Sequence, residues 1–230
     1  MMPIKHIFSM MLICFTQFAS ASEGVEIAEG IFVSVKTYDV PENEAPFFNF
    51  AEKTPESSAA DKLFLKNFTT SDEIQSGFDG AIKRGWNYFF EGDYSTSARR
   101  FNQAHLLKPG HAAVLHGFGV LAIVRFKDPD YGEELLSLAI QQPDTPDMAY
   151  FDMGLLLMNN SRPADAMPFF RTATEKIPDY PAAWFNLSVS LMESSGDRDA
   201  ACEVLRQAQV WIKDNTSKRS AADLNRAIGC

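Results

Sequence analysis

The chain has 230 residues, 46% hydrophobic and 22% charged, with 30 acidic against 21 basic side chains and a net charge of -9. That apolar share excludes a wholly disordered chain, and the acidic balance excludes nucleic-acid binding through a basic footprint. Three cysteines are too few for a disulfide-framework fold.

Residues 1–21 read as an export signal. Lys5 and His6 give a positive start, the apolar run Ile7 to Phe18 follows, and Ala19-Ser20-Ala21 supplies the small-x-small pattern of a cleavage site before Ser22. The run falls short of the roughly 20 residues that span a bilayer. Ile13 stands before Cys14 where a lipobox needs a small residue. The expected product is exported, with the periplasm as its compartment and secretion as the alternative. No later stretch reaches 18 apolar residues, so no membrane span is expected after cleavage. Losing Lys5 takes the charge from -9 to -10, and the acidity is uneven. Residues 22–77 hold -7, residues 78–213 hold -4 and the remaining tail holds +1.

Residues 22–70 form an acidic segment expected to be partly disordered. Two apolar patches interrupt it, Ile31–Val35 with β-like composition and Phe47–Phe50. Either the segment is a mobile leader, or these patches dock on the rest of the chain. Thr70-x-x-Glu73 resembles a capping box opening a helix through Ile74, Phe78 and Ile82.

From there a period near 34 runs through the chain. Small residues fall at Gly85, Gly119, Gly154 and Ser188, bulky apolar ones at Phe101, Leu136, Phe170 and Leu205, and alanines at Ala104, Ala139, Ala173 and Ala208. Pro109, Pro143 and Pro178 close the first three units. Each unit reads as two antiparallel helices; in the third, Tyr150, Met153, Gly154 and Leu157 share one stripe and Ala166, Phe170 and Ala173 another. The units span about 78–111, 112–146, 147–180 and 181–213, within an array over 71–213.

This pattern resembles the tetratricopeptide repeat family, whose units run Trp-x2-Leu-Gly-x2-Tyr, then Ala-x3-Phe-x2-Ala, then Pro. The third unit matches nearly throughout, and the fourth shows Trp184, Leu187, Ser188 and Leu191. The second departs furthest, with Gly132 in place of the motif's Ala and a second helix ending before Pro143, which puts regular packing there in doubt. The stretch from Gly85-Trp86-Asn87-Tyr88 to Gly117-Phe118-Gly119 is similar to a group of small exported bacterial members. The resemblance implies an all-α fold: a short right-handed α-solenoid of about four helix-turn-helix units with a capping helix over 214–230. Ser220-x-x-Asp223 is the expected start of that helix, at 221–228.

Candidate chemistry is sparse. His105, His111 and His116 lie on separate helices or turns, without the spacing or companions of a zinc site. Asp128 and Asp130, or Asp197 and Asp199, sit where acids favour helix starts. No nucleophile elbow or phosphate-cradling glycine loop is present. No enzyme activity and no cofactor are expected. Cys202 and Cys230 can pair across 28 residues, stapling the final helix to the fourth unit, or Cys202 can stay a buried thiol.

The resemblance also implies that each unit's first helix lines a concave inner surface. The inner positions are Ile82, Trp86 and Phe89; His116, Val120 and Ile123; Phe151, Leu155 and Met158; and Phe185, Val189 and Met192. Eleven of these twelve are apolar, so the Lys and Asn of a carboxylate clamp for chaperone tails are missing. The expected function is a non-catalytic protein–protein interaction scaffold of the bacterial cell envelope, with an envelope protein or peptide segment in the groove. The alternatives are occupation by the protein's own N-terminal segment, or a carrier or sensor role for an apolar small molecule or lipid. Curvature that buries these residues against neighbouring helices is the competing structural expectation.

Overall fold

Helix hairpins form here because apolar stripes at helical spacing alternate with Pro- and Gly-bearing turns. In the computed structural model, which describes residues 24–230, four hairpins follow one another. They are α2 (Ser71–Phe90) with α3 (Tyr94–Leu107), α4 (Ala112–Val124) with α5 (Pro129–Ile140), α6 (Met148–Asn159) with α7 (Pro163–Lys176), and α8 (Pro181–Ser195) with α9 (Arg198–Ala208). A last helix, α10 (Asn215–Ile228), closes the stack. The expected export signal lies outside the described residues.

The repeated small residues set how closely each pair approaches. A Cβ added to Gly85 would stand 2.5 Å from Phe101, and one on Gly154 2.6 Å from Phe170, so the second helix's ring fills the volume that the glycine leaves. Ser188 replaces glycine in the fourth hairpin and stays satisfied because its hydroxyl donates to the Ala201 carbonyl at 3.1 Å. Phe101, Leu136, Phe170 and the alanines Ala104, Ala139, Ala173 and Ala208 are wholly buried.

The Gly132 departure has a packing reason. A Cβ there would meet Ile123 at 2.4 Å and the Gly119 carbonyl oxygen at 3.1 Å, so the missing side chain lets the α5 backbone approach that of α4 closely. Three of the second helices open on an aspartate whose carboxylate accepts a first-turn N–H: Asp93 from Thr96, Asp128 from Tyr131 and Asp197 from Ala200. Asp128 and Asp197 are therefore helix caps, and Asp130 and Asp199 lie in the first turns that they open. The Thr70–Glu73 capping box forms as the sequence suggests.

Residues 24–70 differ from the expected disordered leader. β1 (Val25–Ala28) and β2 (Ile31–Val33) make an antiparallel hairpin turning at Gly30, two short 3-10 turns cover Glu42–Glu44 and Pro46–Phe50, and α1 (Pro55–Leu65) follows. The segment packs on the second-helix layer rather than floating. Val33 and Phe47 join the core formed by α2 to α5. Phe47 sets its ring edge-on to Phe118 and His105, with centroids at 4.9 and 5.2 Å.

Polar anchors fix the register of that docking. Asn102, buried on α3, donates to the carbonyls of Asn43 (3.1 Å) and Ala45 (2.8 Å) and accepts from the Phe48 N–H (3.0 Å). Glu44 pairs with Arg99 at 2.6 Å and Arg125 at 3.0 Å. Tyr38 stacks on Phe126 at 3.9 Å and reaches Asp128, while the Ser34 N–H donates to Glu134 at 2.6 Å. These contacts hold a costly backbone, because Phe47, Phe48, Asn49 and Phe50 all carry φ between 51 and 57°. Left-handed geometry costs L-residues roughly 1–2 kcal/mol apiece, so the anchors must offset several kcal/mol.

The closing helix begins earlier than the Ser220 signal suggested. Asp214 caps it by accepting the Ser217 N–H at 2.8 Å, which places residue 221 in the helix interior, with Ala221 buried. Cys202 and Cys230 are bonded, with Cα atoms 5.6 Å apart. Closing that 28-residue separation contributes roughly 3–4 kcal/mol by restricting the unfolded chain.

Candidate functional site

The first helices α2, α4 and α6 stand side by side, and between them opens a pocket of about 330 Å³. Five of the twelve inner positions line it: Trp86 and Phe89 from α2, His116 and Val120 from α4, and Phe151 from α6. Phe90, Met148 and Asp152 complete the helical walls, and the inter-unit turns add Pro146 and Tyr180. Nothing from residues 24–70 lines the pocket. The expectation that the N-terminal segment fills the groove as a lid is thereby corrected: Val33 and Phe47 are buried instead in the core of α2 to α5, Phe47 against His105 of α3 and Phe118 of α4, away from the pocket.

Two aromatic walls face each other. Trp86 lies nearly parallel to Phe90, centroids 6.0 Å apart, and meets Phe89 edge-on at 5.5 Å. Opposite, Phe151 and Tyr180 form an edge-to-face pair at 4.9 Å. His116 sits under Trp86, its ring 4.9 Å away, and its Nε2 is 2.6 Å from Asp152 Oδ2. The His116 side chain is 3% exposed and that of Asp152 is 22% exposed, so the carboxylate is the more accessible of these two lining groups. Burial, and then the Asp152 charge, push the Tyr180 phenol up, which keeps it neutral.

The remaining inner positions do not converge on this pocket. Ile123 is spent against Gly132. Leu155, Met158 and Met192 pack half-buried on the core of α4 to α9, Ile82 on that of α2 to α5, and Phe185 beside Trp184. Val189 is half-buried as well, and His116, Val120 and Phe151 are buried, so none of the twelve is freely exposed. Most of the expected groove is thus taken up by packing against neighbouring helices, and five of its twelve positions line the pocket between α2, α4 and α6. Phe90 is 79% exposed and was missed, although an apolar residue directly before the Glu91-Gly92-Asp93 turn is a readable signal. Pro146, Met148 and Tyr180 come from unit boundaries, where repeat spacing carries no rule about direction.

The histidines have separate partners. His105 packs under Phe47, His111 pairs with Asp144 at 2.6 Å, and His116 pairs with Asp152. Among the described residues no group of three or more His, Cys, Asp or Glu is arranged to hold a metal, and no helix is long and apolar enough to cross a membrane.

No family model matches the chain, and neither does any curated protein. Solved structures do. The crystal structure of PilW, a widely conserved type IV pilus biogenesis factor, is 19% identical, with 76% of this chain and 78% of that chain covered and a TM-score of 0.53. MamA from Desulfovibrio magneticus RS-1, from its residue 41 onward, is 12% identical over 66% of this chain and 85% of its own, with a TM-score of 0.51. YrrB, a TPR protein with an unusual peptide-binding site, is 20% identical over 73% and 84%, with a TM-score of 0.49. The fold is the tetratricopeptide-repeat α-solenoid, extended at its N-terminus by the docked hairpin and α1.

Proposed function

We propose that the protein is a non-catalytic interaction scaffold of the bacterial cell envelope that seats a partner segment in the pocket between α2, α4 and α6. The observation that carries this reading is the open aromatic pocket itself. Large apolar residues, including the 79% exposed Phe90, stay unsealed there although the chain has an apolar N-terminal segment to hand. Such a surface suits an apolar helix face or an extended peptide. The envelope location rests on the export pattern of residues 1–21.

Pull-down from an envelope extract tests it, comparing wild type with Phe90→Glu, a change at a side chain that contributes little to the core. Wild type is expected to retain a discrete partner that the variant loses. An identical partner set for both would sink the pocket reading.

A second reading has one observation in its favour. A volume of about 330 Å³ falls at the lower end of the range for small-molecule sites. Native mass spectrometry separates the two, since a carrier of an apolar small molecule or lipid shows a reproducible bound mass and a peptide scaffold does not.

A further inference from the structure

The pocket's charge has a direction. Asp152 is the one carboxylate among its lining residues, and none of them is Lys or Arg. His116 holds Oδ2, and among the described residues no hydrogen bond reaches Oδ1, so that oxygen of a pocket-lining carboxylate is left to a ligand. Around it stand five aromatic side chains, Trp86, Phe89, Phe90, Phe151 and Tyr180, whose ring faces carry negative potential.

From this placement we propose that the partner segment presents a basic side chain, arginine before lysine, flanked by an apolar residue. The cation enters between the Trp86/Phe90 and Phe151/Tyr180 walls and pairs with Asp152. This deepens the scaffold reading and rests on it.

Desolvation of the carboxylate selects the occupant. A purely apolar occupant strips water from the Asp152 carboxylate and returns nothing, which costs affinity. An acidic occupant meets that carboxylate, and the net charge of -9, with repulsion. A cation offsets both losses, and aromatic faces add attraction within about 6 Å of a ring centroid. Guanidinium fits better than ammonium because it is planar, stacks on rings and sheds water more readily. The polarity is opposite to that of a clamp for a C-terminal carboxylate, which needs cations on the protein.

A random twelve-residue peptide library displayed on phage tests this with the full chain. Peptides selected on wild type are sorted by whether they bind Phe90→Glu and Trp86→Ala, then synthesised and titrated against Asp152→Asn and Asp152→Lys. Pocket-dependent peptides are expected to share an Arg or Lys beside an aromatic or aliphatic residue. Their affinity should fall at least tenfold on Asp152→Asn and weaken from 50 to 500 mM salt. Asp152→Lys, where it folds, is expected to enrich acidic peptides instead; Asp152→Asn is nearly isosteric and decides the matter alone if it does not.

Pocket-dependent peptides without a basic residue, or affinity unchanged on Asp152→Asn, overturn the cation proposal while leaving the scaffold reading intact. Peptides indifferent to both Phe90→Glu and Trp86→Ala overturn the two together, as does a tightly held apolar small molecule that blocks all peptide binding.

Discussion

Replacing Asn102 with alanine should release the N-terminal segment while leaving the hairpin stack folded. The amide makes three hydrogen bonds to the segment, donating to Asn43 and Ala45 and accepting from Phe48, and it is 1% exposed. A net hydrogen bond contributes about 0.5–1.5 kcal/mol, so three amount to roughly 2–4 kcal/mol, and the groups left behind stay buried without partners. At 1.4 kcal/mol per tenfold, the undocked population rises roughly 30- to 1,000-fold. The left-handed run Phe47–Phe50 adds pressure in the same direction, because it relaxes once its anchors go. Hydrogen exchange read by mass spectrometry is the assay. Peptides covering residues 41–53 should exchange faster in Asn102→Ala by that factor, with α6 to α8 unchanged. Equal protection of residues 41–53 in both proteins would refute the idea that Asn102 holds the segment down. Loss of protection along the whole stack would refute the idea that the segment is separable.

Further expectations concern acid and the α4–α5 crossing. The Ser95 hydroxyl first, then Arg125 and Arg99, hold the Glu44 carboxyl below its ordinary value. Its contribution is therefore complete above pH 4.5 and lost as pH falls through the lower folded value. Burial, then Lys53, push His105 down to about 4 from 6.5. The folded protein thus refuses a proton that the unfolded chain accepts, and stability should fall by about 3 kcal/mol between pH 6.5 and 4. Urea melts across that range should flatten in His105→Gln; an unchanged slope would contradict the assignment. Gly132→Ala should cost about 1–3 kcal/mol through overpacking against Ile123, and Ile123→Ala should recover part of it in the double variant. Strictly additive losses in thermal melts would show that the two side chains do not meet.

The stack was legible because its information is periodic. Gly85, Gly119, Gly154 and Ser188 mark helix pairs whose geometry depends on near neighbours in sequence. The docked segment was not, since its contacts join residues 50 to 100 positions apart, such as Phe48 to Asn102 and Ser34 to Glu134. No residue preference would place three phenylalanines in left-handed backbone; the buried Asn102 amide, the Phe118 edge and the paired hydrogen bonds between Asn49 and the Tyr38 backbone make that conformation tolerable. For the site, repeat position gave Trp86, Phe89, His116, Val120 and Phe151 their direction. It misassigned Ile123, whose space is decided by a glycine on the neighbouring helix. Asp152 was invisible to an inner-position rule because it lies beside Phe151, and it enters the pocket through its bond to His116.

The central claim is that the partner meets the α2–α4–α6 pocket and not the N-terminal segment, and site-specific photocrosslinking tests it most directly. Phe90 and Phe32 are both exposed aromatics, one at the pocket and one on the docked hairpin. With benzoylphenylalanine at position 90, irradiation of cells expressing the full chain should yield a discrete crosslinked species that the same residue at position 32 does not give. A crosslink from position 32 with none from position 90 would contradict the account.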